Sequence, residues 1–428
     1  MQVQRTTTLL LEYDADLLAT LKAFQSVQQQ ISPVCFGDAK GKFLNAVELQ
    51  KACYHDVTGK VSAQMTCSAM RLVAGAYTSA KKNQERRIAL EKKRKARCER
   101  KGWNYKERVI KELGVCEFTH PAALFLIGKK GRDASFCKKD GKLSIWTIAG
   151  RKHIAYTVPT SLQHYLDDAT EIDSITVVER NGKLVGRVAV TLEVPEPKGL
   201  LPVGIDLNET NAIVATDIEE NTLFVSGKDT KVRNKRSRQT RKRLQKKLSA
   251  HKVQNKDTRS LRRLLARTRR KQSNRTKTFA QTAAKRLCQW AKPDSMLVFE
   301  SLNLQQPEKG LVKGKPLRRR MSAWQRGLIR ACVENKAQEY GLAVCEVDPR
   351  YTSQDCSRCG LRGKRRRHKF TCPICGFECH ADVNASRNIR NRYVVLRHDG
   401  AESTAPEALL SELASDTEGK PVPLGIGS

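Results

Sequence analysis

Apolar positions along the chain change period several times, and each change marks an element. Residues 3–11 alternate weakly and are rich in Thr and Leu, which predicts a first strand, while 16–30 carries apolar residues at helical spacing. Helical periodicity returns over 43–55 and 62–99, ending in the basic run Lys92–Lys101. From about 120 to 195 the pattern becomes period-two and β-branched. There 143–148, 153–158, 175–179 and 185–194 read as strands, 122–127 is strand-sized, and Asn181-Gly182 is a hairpin turn. This is a β-rich domain interrupted by, or wrapped around, an N-terminal helical one. Pro195-Glu-Pro197-Lys-Gly199 then reads as a linker.

Beyond the linker, 203–207, 212–216 and 223–226 form three closely spaced strands suited to an antiparallel meander. A basic helical region, 240–291, divides near Asp257, an N-cap for its second half. The strand 296–299 leads into Glu300, followed by a basic loop, 309–320, a helix, 322–340, stopped by Gly341, and a strand, 343–347. Three strands, a helix, then strand, helix and strand is the element order of an RNase H-like fold. From about Arg397 onward Ser, Ala, Glu, Pro and Gly predominate, the composition of a disordered tail.

Charge changes the picture. In 428 residues, 80 Lys and Arg face 44 Asp and Glu, a formal +36 that exceeds what solubility needs and suits a polyphosphate partner. A merely adhesive basic protein has the same composition, so motifs must decide. Between Lys231 and Lys277 the one acid is Asp257. Solvated helices usually mix signs, so this density points to phosphate contacts by Arg241, Lys242, Arg243, Lys246, Lys247, Arg262, Arg263 and Arg270. Leu244, Leu248, Leu261, Leu264 and Leu265 form the apolar stripe and read as core. Trp103 and Tyr105 either stack on bases or pack.

The N-terminal residues lack a signal-peptide pattern and no apolar stretch is long enough to cross a bilayer, so a soluble intracellular protein is expected. Of 14 cysteines, four fall in Cys356-x-x-Cys359 and Cys372-x-x-Cys375, each pair followed by a glycine, Gly360 or Gly376. Two such knuckles supply four thiolates for a structural Zn²⁺ ribbon. Nearby Cys379 and His380 could compete as ligands, but the knuckles already satisfy zinc.

Three acids stand at element ends. Asp206 closes Val-Gly-Ile-Asp, Glu300 closes Met-Leu-Val-Phe-Glu, and Asp382 opens a helical segment just past the ribbon. An inward carboxylate on an apolar strand is costly unless it meets a cation. Converging, the three would hold two Mg²⁺ ions over a phosphodiester, with catalytic roles for Asp206, Glu300 and Asp382. Each alone reads as an ordinary strand-terminal acid.

The segments Gly204-Ile-Asp206-Leu-Asn208, Val298-Phe-Glu300-Ser-Leu-Asn303-Leu, Tyr351-Thr-Ser-Gln-Asp-Cys356-Ser-Arg-Cys359-Gly and His380-Ala-Asp382-Val-Asn-Ala resemble the RuvC motifs and zinc ribbon of the TnpB family. That family comprises transposon-encoded RNA-guided DNA nucleases related to type V CRISPR effectors. The likeness is dense over 200–395; more loosely, 144–151 and 184–195 resemble its β-barrel domain and 15–100 its helical recognition domain. His380-Ala381 stands where some members carry Asp-Arg.

The resemblance implies a multidomain α/β protein. A β-barrel wedge domain would span 1–12 and 103–198, and a helical recognition domain 13–102. A RuvC-like nuclease domain would span 199–350 and 380–396, with a zinc ribbon over 351–379 and a tail over 397–428. Implied partners are a guide RNA and double-stranded target DNA, with no membrane and a prokaryotic cytoplasmic, nucleoid-associated location; the sequence leaves open one or two copies of the chain per RNA, with a monomer favoured. Alternatives are a compact type V CRISPR effector, a nuclease-inactive RNA-guided repressor, and a DNA-joining transposase. The eight histidines contain no His-x-His pair for a tyrosine-type nicking site, which weakens the last.

Overall fold

The computed structural model describes residues 1–37, 43–128, 132–137, 140–301 and 325–399. It divides into two compact units, Gln2–Glu193 and a second made of Met1 with the chain from Val194 onward.

In the first unit the period-two segments become strands β1 (Gln2–Leu11), β2 (Ala122–Leu126), β3 (Ala134–Cys137), β4 (Lys142–Thr147), β5 (Gly150–Thr157), β6 (Ala169–Arg180) and β7 (Lys183–Glu193). They form one sheet in the order β2-β6-β7-β1-β5-β4-β3, with every pair antiparallel. A bridge from Ile127, just past β2, to Ala134 of β3 links the two sheet edges, giving a barrel-like closure. The β6–β7 turn is Asn181-Gly182, with φ values of 54° and 74°, the left-handed pair that a two-residue hairpin needs.

Helices α1 (Ala15–Phe36), α2 (Ala46–Val57) and α3 (Ala63–Arg100) are inserted between β1 and β2, and α4 (Thr160–Asp167) precedes β6. The Asp14 side chain caps α1 by accepting from the Leu17 N–H at 2.7 Å. This helix outruns its predicted end at 30 because Ile31 and Cys35 continue the buried stripe, with Pro33 tolerated in the last turn. Trp103 is exposed beneath the Lys101 ammonium, while the Tyr105 hydroxyl donates to Glu91 at 3.0 Å.

The second unit is built on a five-stranded sheet of β8 (Leu201–Asp206), β9 (Asn211–Thr216), β10 (Thr222–Ser226), β11 (Ser295–Glu300) and β12 (Ala343–Val347). Its order is β10-β9-β8-β11-β12. The first three strands form the predicted antiparallel meander, and β11 and β12 run parallel to β8. β8 is almost continuously buried, as a strand covered on both faces should be.

On one face, α6 (Arg259–Trp290) and α7 (Arg326–Glu339) pack Ala280, Ala284, Leu287, Ile329 and Val333 against Val203, Ile205, Leu297 and Phe299. On the other lies α8 (Ala381–Asp399), whose Ile389 meets Val298 and Val347. Between β12 and α8 a small sheet, β13 (Lys364–Arg366), β14 (Lys369–Thr371) and β15 (Glu378–His380), carries the cysteine knuckles.

The structure corrects several boundaries. The long basic region begins not at 240 but at Lys228, giving α5 (Lys228–Val253) before α6. The N-cap of α6 is Thr258 rather than Asp257, although the Asp257 carboxylate accepts from the Arg259 N–H at 2.9 Å and so still serves that helix start. The expected tail from 397 is helical through Asp399, and residues 400–428 lie outside the described residues. So do the loop expected over 309–320, residues 322–324 of the predicted helix start, and Asn303. No helix among the described residues is long and apolar enough to cross a membrane.

Gly204 lets α8 seat on the sheet. A Cβ there would overlap the Ser386 carbonyl oxygen and come within 2.6 Å of the Arg390 nitrogen. Forcing such an overlap costs about 1–3 kcal/mol or more, since backbone rather than a flexible side chain must move. Gly204→Ala should therefore lower the denaturant midpoint clearly; a midpoint equal to the parent's would show that α8 does not need this contact.

Candidate active site

Strand register delivers the first two acids. Ile205 pairs with Phe299 in the parallel β8–β11 ladder, so the next residues, Asp206 and Glu300, end their strands side by side. Because side chains alternate, both point to the face that carries Gly204 and Val298, which α8 covers. Asp382 lies in the first turn of α8, where the helix dipole favours a carboxylate. From there α8 runs over Gly204 and is fixed by a 2.6 Å hydrogen bond between the Ser386 and Thr216 hydroxyls.

Asp206 and Asp382 are buried, and burial, then the charges of Glu300 and Asp382, push the Asp206 carboxyl up to about 8 against the pull of Arg365 and Asn208. Every acid has its own polar partner. Asn208 Nδ2 donates to Asp206 at 2.7 Å, Asn211 Nδ2 donates to Asp382 at 2.8 Å, and the Thr352 hydroxyl donates to Glu300. Arg365, on ribbon strand β13, reaches Asp382 with a 2.7 Å ion pair. Buried Arg326 donates to the Glu300 carbonyl at 2.6 Å.

Asn208 and Thr352 stand in the sequence motifs without an assigned role, and no motif singles out Asn211, Arg326 and Arg365. Only the element order could have hinted at them, since each is distant in sequence from at least one acid it serves.

The carboxylates of Asp206, Glu300 and Asp382 are hard oxygen donors of the kind that fit Mg²⁺. His380 abuts the cluster, and its Nδ1 accepts from the Asp382 N–H at 3.2 Å. Burial holds its pKa below the ordinary histidine value, opposed by Asp382 and assisted by His368 and Arg365.

The four knuckle cysteines meet at one point. Sγ atoms of Cys356 and Cys375 are 3.7 Å apart, and those of Cys359 and Cys372 are 3.6 Å apart. Tetrahedral zinc with bonds of about 2.3 Å requires S···S separations of about 3.8 Å, so the residues fit Zn²⁺. Gly360 and Gly376 adopt φ of 74° and 70° and return their N–H groups to Cys356 and Cys372. Burial would raise the Cys372 thiol, yet the N–H groups of Cys375 and Ile374 bring it down to about 7. Cys379 and His380 stand outside this Cys₄ group.

Residues 327–389 match the sequence family described as Cas12f1-like, TNB domain. The chain is 35% identical over 112 residues to TnpB-like protein aq_aa05 of Aquifex aeolicus (strain VF5), covering 25% of this chain and 35% of that protein. It is 49% identical over 57 residues to the CRISPR-associated endodeoxyribonuclease Cas12f1 of Sulfoacidibacillus thermotolerans, covering 13% and 14%. The chain is a relative of the TnpB family and of the type V effectors. It spans about a third or less of the length of these curated relatives. A fold likeness extends further: the structure of CasPhi-2 (Cas12j) bound to crRNA matches with a TM-score of 0.50 at 11% identity, over 91% of this chain and 98% of that one.

In this TnpB relative the basic side chains singled out from sequence lie on the paired helices α5 and α6. Lys242, Arg243, Lys246, Lys247, Arg262, Arg263 and Arg270 are exposed. Arg241 is half-buried instead, turned into a cleft of about 540 Å³ shared with Asn208, Lys231, Arg238, Gln272 and Thr276. Of the leucine stripe only Leu244 is buried, while Leu264 is 45% exposed.

Two expectations follow from the geometry. The folded chain holds the Asp206 proton up to about 8, whereas the unfolded chain releases it near 3.8. Without a cation, the contribution of Asp206 to stability therefore falls as pH rises through that window. Mg²⁺ binding must expel the proton, so affinity should climb toward pH 8, with about one proton released per site near pH 7 by calorimetry in buffers of different ionisation heat. No release would remove Asp206 from the metal site. Cys372→Ser should cost bound zinc, measured by elemental analysis; full zinc content would overturn the Cys₄ assignment.

Proposed function

We propose that this chain is an RNA-guided DNA endonuclease that cuts double-stranded DNA by Mg²⁺-dependent phosphodiester hydrolysis in a RuvC-type site, in a transposon setting. The single observation that carries the chemistry is that Asp206 and Glu300 end adjacent strands on the face covered by α8, whose first turn carries Asp382, with Asp206 and Asp382 buried. Divalent ions bound there would supply activation of water and stabilisation of the leaving oxygen. Asp206, Glu300 and Asp382 would hold them, Asn208 and Asn211 orient two of the carboxylates, and Thr352 orients the third.

Support for the partners comes from charge and from likeness. The excess of positive charge, concentrated on α5 and α6, suits a polyphosphate, and a fold neighbour is described as bound to crRNA. In this reading the barrel with its helical insertion holds the guide scaffold and reads a short duplex motif, while guide pairing reads the target. A compact type V CRISPR effector is the second reading, favoured by the Cas12f1-like match over 327–389.

The test is to purify the chain with RNA from its own locus, sequence that RNA, and offer a matching plasmid with Mg²⁺. The wild type should cut. Asp206→Ala should lose cleavage by at least about a thousandfold, the scale of a lost catalytic metal ligand, while retaining nucleic-acid binding. Full cutting by that variant would end the assignment.

A further inference from the structure

We propose that His368, His380 and Asp382 form a second metal site, sharing Asp382 with the acids and taking a borderline-soft dication such as Zn²⁺ or Co²⁺ rather than Mg²⁺. One ligand atom from each of these residues lies within 4.8 Å of the others. Among the described residues it is this trio, and not the three acids, that gathers so closely around Asp382. Two imidazoles and a carboxylate are a donor set that such metals favour and Mg²⁺ does not.

Local packing holds the trio in place by independent contacts. The two imidazoles stack at 5.4 Å with 22° between planes, and the Phe224 ring meets His380 edge-on at 5.2 Å. The Ala381 N–H donates to the His368 carbonyl at 2.8 Å, tying the β13–β14 turn to the start of α8. The Asp382 N–H donates to His380 Nδ1 at 3.2 Å, which places the ring beside the Asp382 carboxylate, 3.9 Å from Oδ2; a metal taking the Nδ1 lone pair would displace this contact. Ligand atoms on one metal stand about 3.0–3.4 Å apart, so the trio must close by roughly an ångström. His368 is exposed in a two-residue turn beside Arg367, whose φ is 54°, and can make that movement.

A bound dication would take over the neutralising role of Arg365 at Asp382. It would also withdraw Asp382 from the acids. On the nuclease reading above, micromolar transition metal would therefore inhibit Mg²⁺-supported cleavage, but the binding itself does not depend on that reading.

The experiment titrates Co²⁺ into full-length protein whose ribbon already holds zinc. The expected result is about one tightly bound further equivalent, taken up ahead of any weaker binding at the three acids, with weak visible d–d absorption and no near-ultraviolet thiolate charge-transfer band. His368→Gln, at an exposed position that should not disturb folding, is expected to weaken this binding by about tenfold or more, and His380→Gln likewise. Asp206→Asn should leave it intact. Absence of the extra equivalent, a thiolate band in its place, or unchanged affinity in both histidine variants would overturn the proposal. Co²⁺ binding without any DNA cleavage would uphold the site and count against the nuclease reading; cleavage without Co²⁺ binding would do the reverse.

Discussion

Buried like charge is the constraint around which the second unit is arranged. Asp206 and Asp382 are removed from water, Glu300 ends the neighbouring strand, and Asp206 responds by binding its proton far more tightly than a free carboxyl would. A fold tolerates this only with compensation. Here it comes from the amides of Asn208 and Asn211, the Thr352 hydroxyl and the Arg365 guanidinium. Buried Arg326 adds a second guanidinium, donating to the Glu300 carbonyl at 2.6 Å.

The zinc ribbon takes part in that balance although its cysteines form their own cluster. Asn384, two residues past Asp382, accepts from the Ser357 N–H at 2.9 Å and donates to the Asp355 carbonyl at 2.7 Å, binding the first knuckle to α8. Asn388 reaches the carbonyls of Thr352 and Asp355 one turn later. The ribbon thereby fixes where α8 begins and how Asp382 enters the site, and it also contributes Arg365. A structural metal with closed coordination can influence chemistry in this way, by positioning, without touching the reacting atoms.

The basic helices illustrate a different economy. Their charge density has few internal acids to meet it, and their apolar stripe is only partly covered, since Leu264 is 45% exposed. Most of the arginines and lysines project outward, yet Arg241 turns into the cleft that also contains Asn208, the amide that orients Asp206. One cleft of this unit thus holds both Arg241, a phosphate-binding candidate, and the amide that orients Asp206.

By itself the sequence determined whatever depends on short-range pattern. The strands β8 to β12 follow from apolar runs, the β6–β7 hairpin from Asn181-Gly182, and the ribbon from cysteine spacing, because each is dictated by backbone geometry within a few residues. Element ends were less legible. Packing of Ile31 and Cys35 prolonged α1, and the start of α5 at Lys228 had no apolar stripe to announce it. Only the tertiary structure decided which side chains serve the acids. Arg365 and Asp382 are 17 residues apart and Asn211 and Asp382 are 171 apart, so their meeting depends on strand order and on α8 docking over Gly204. The same holds for His368, which spacing marks as one more polar residue in a basic run and which the β13–β14 turn brings against His380. Long-range contacts of this kind arise from burying whole faces together, and no local period records them.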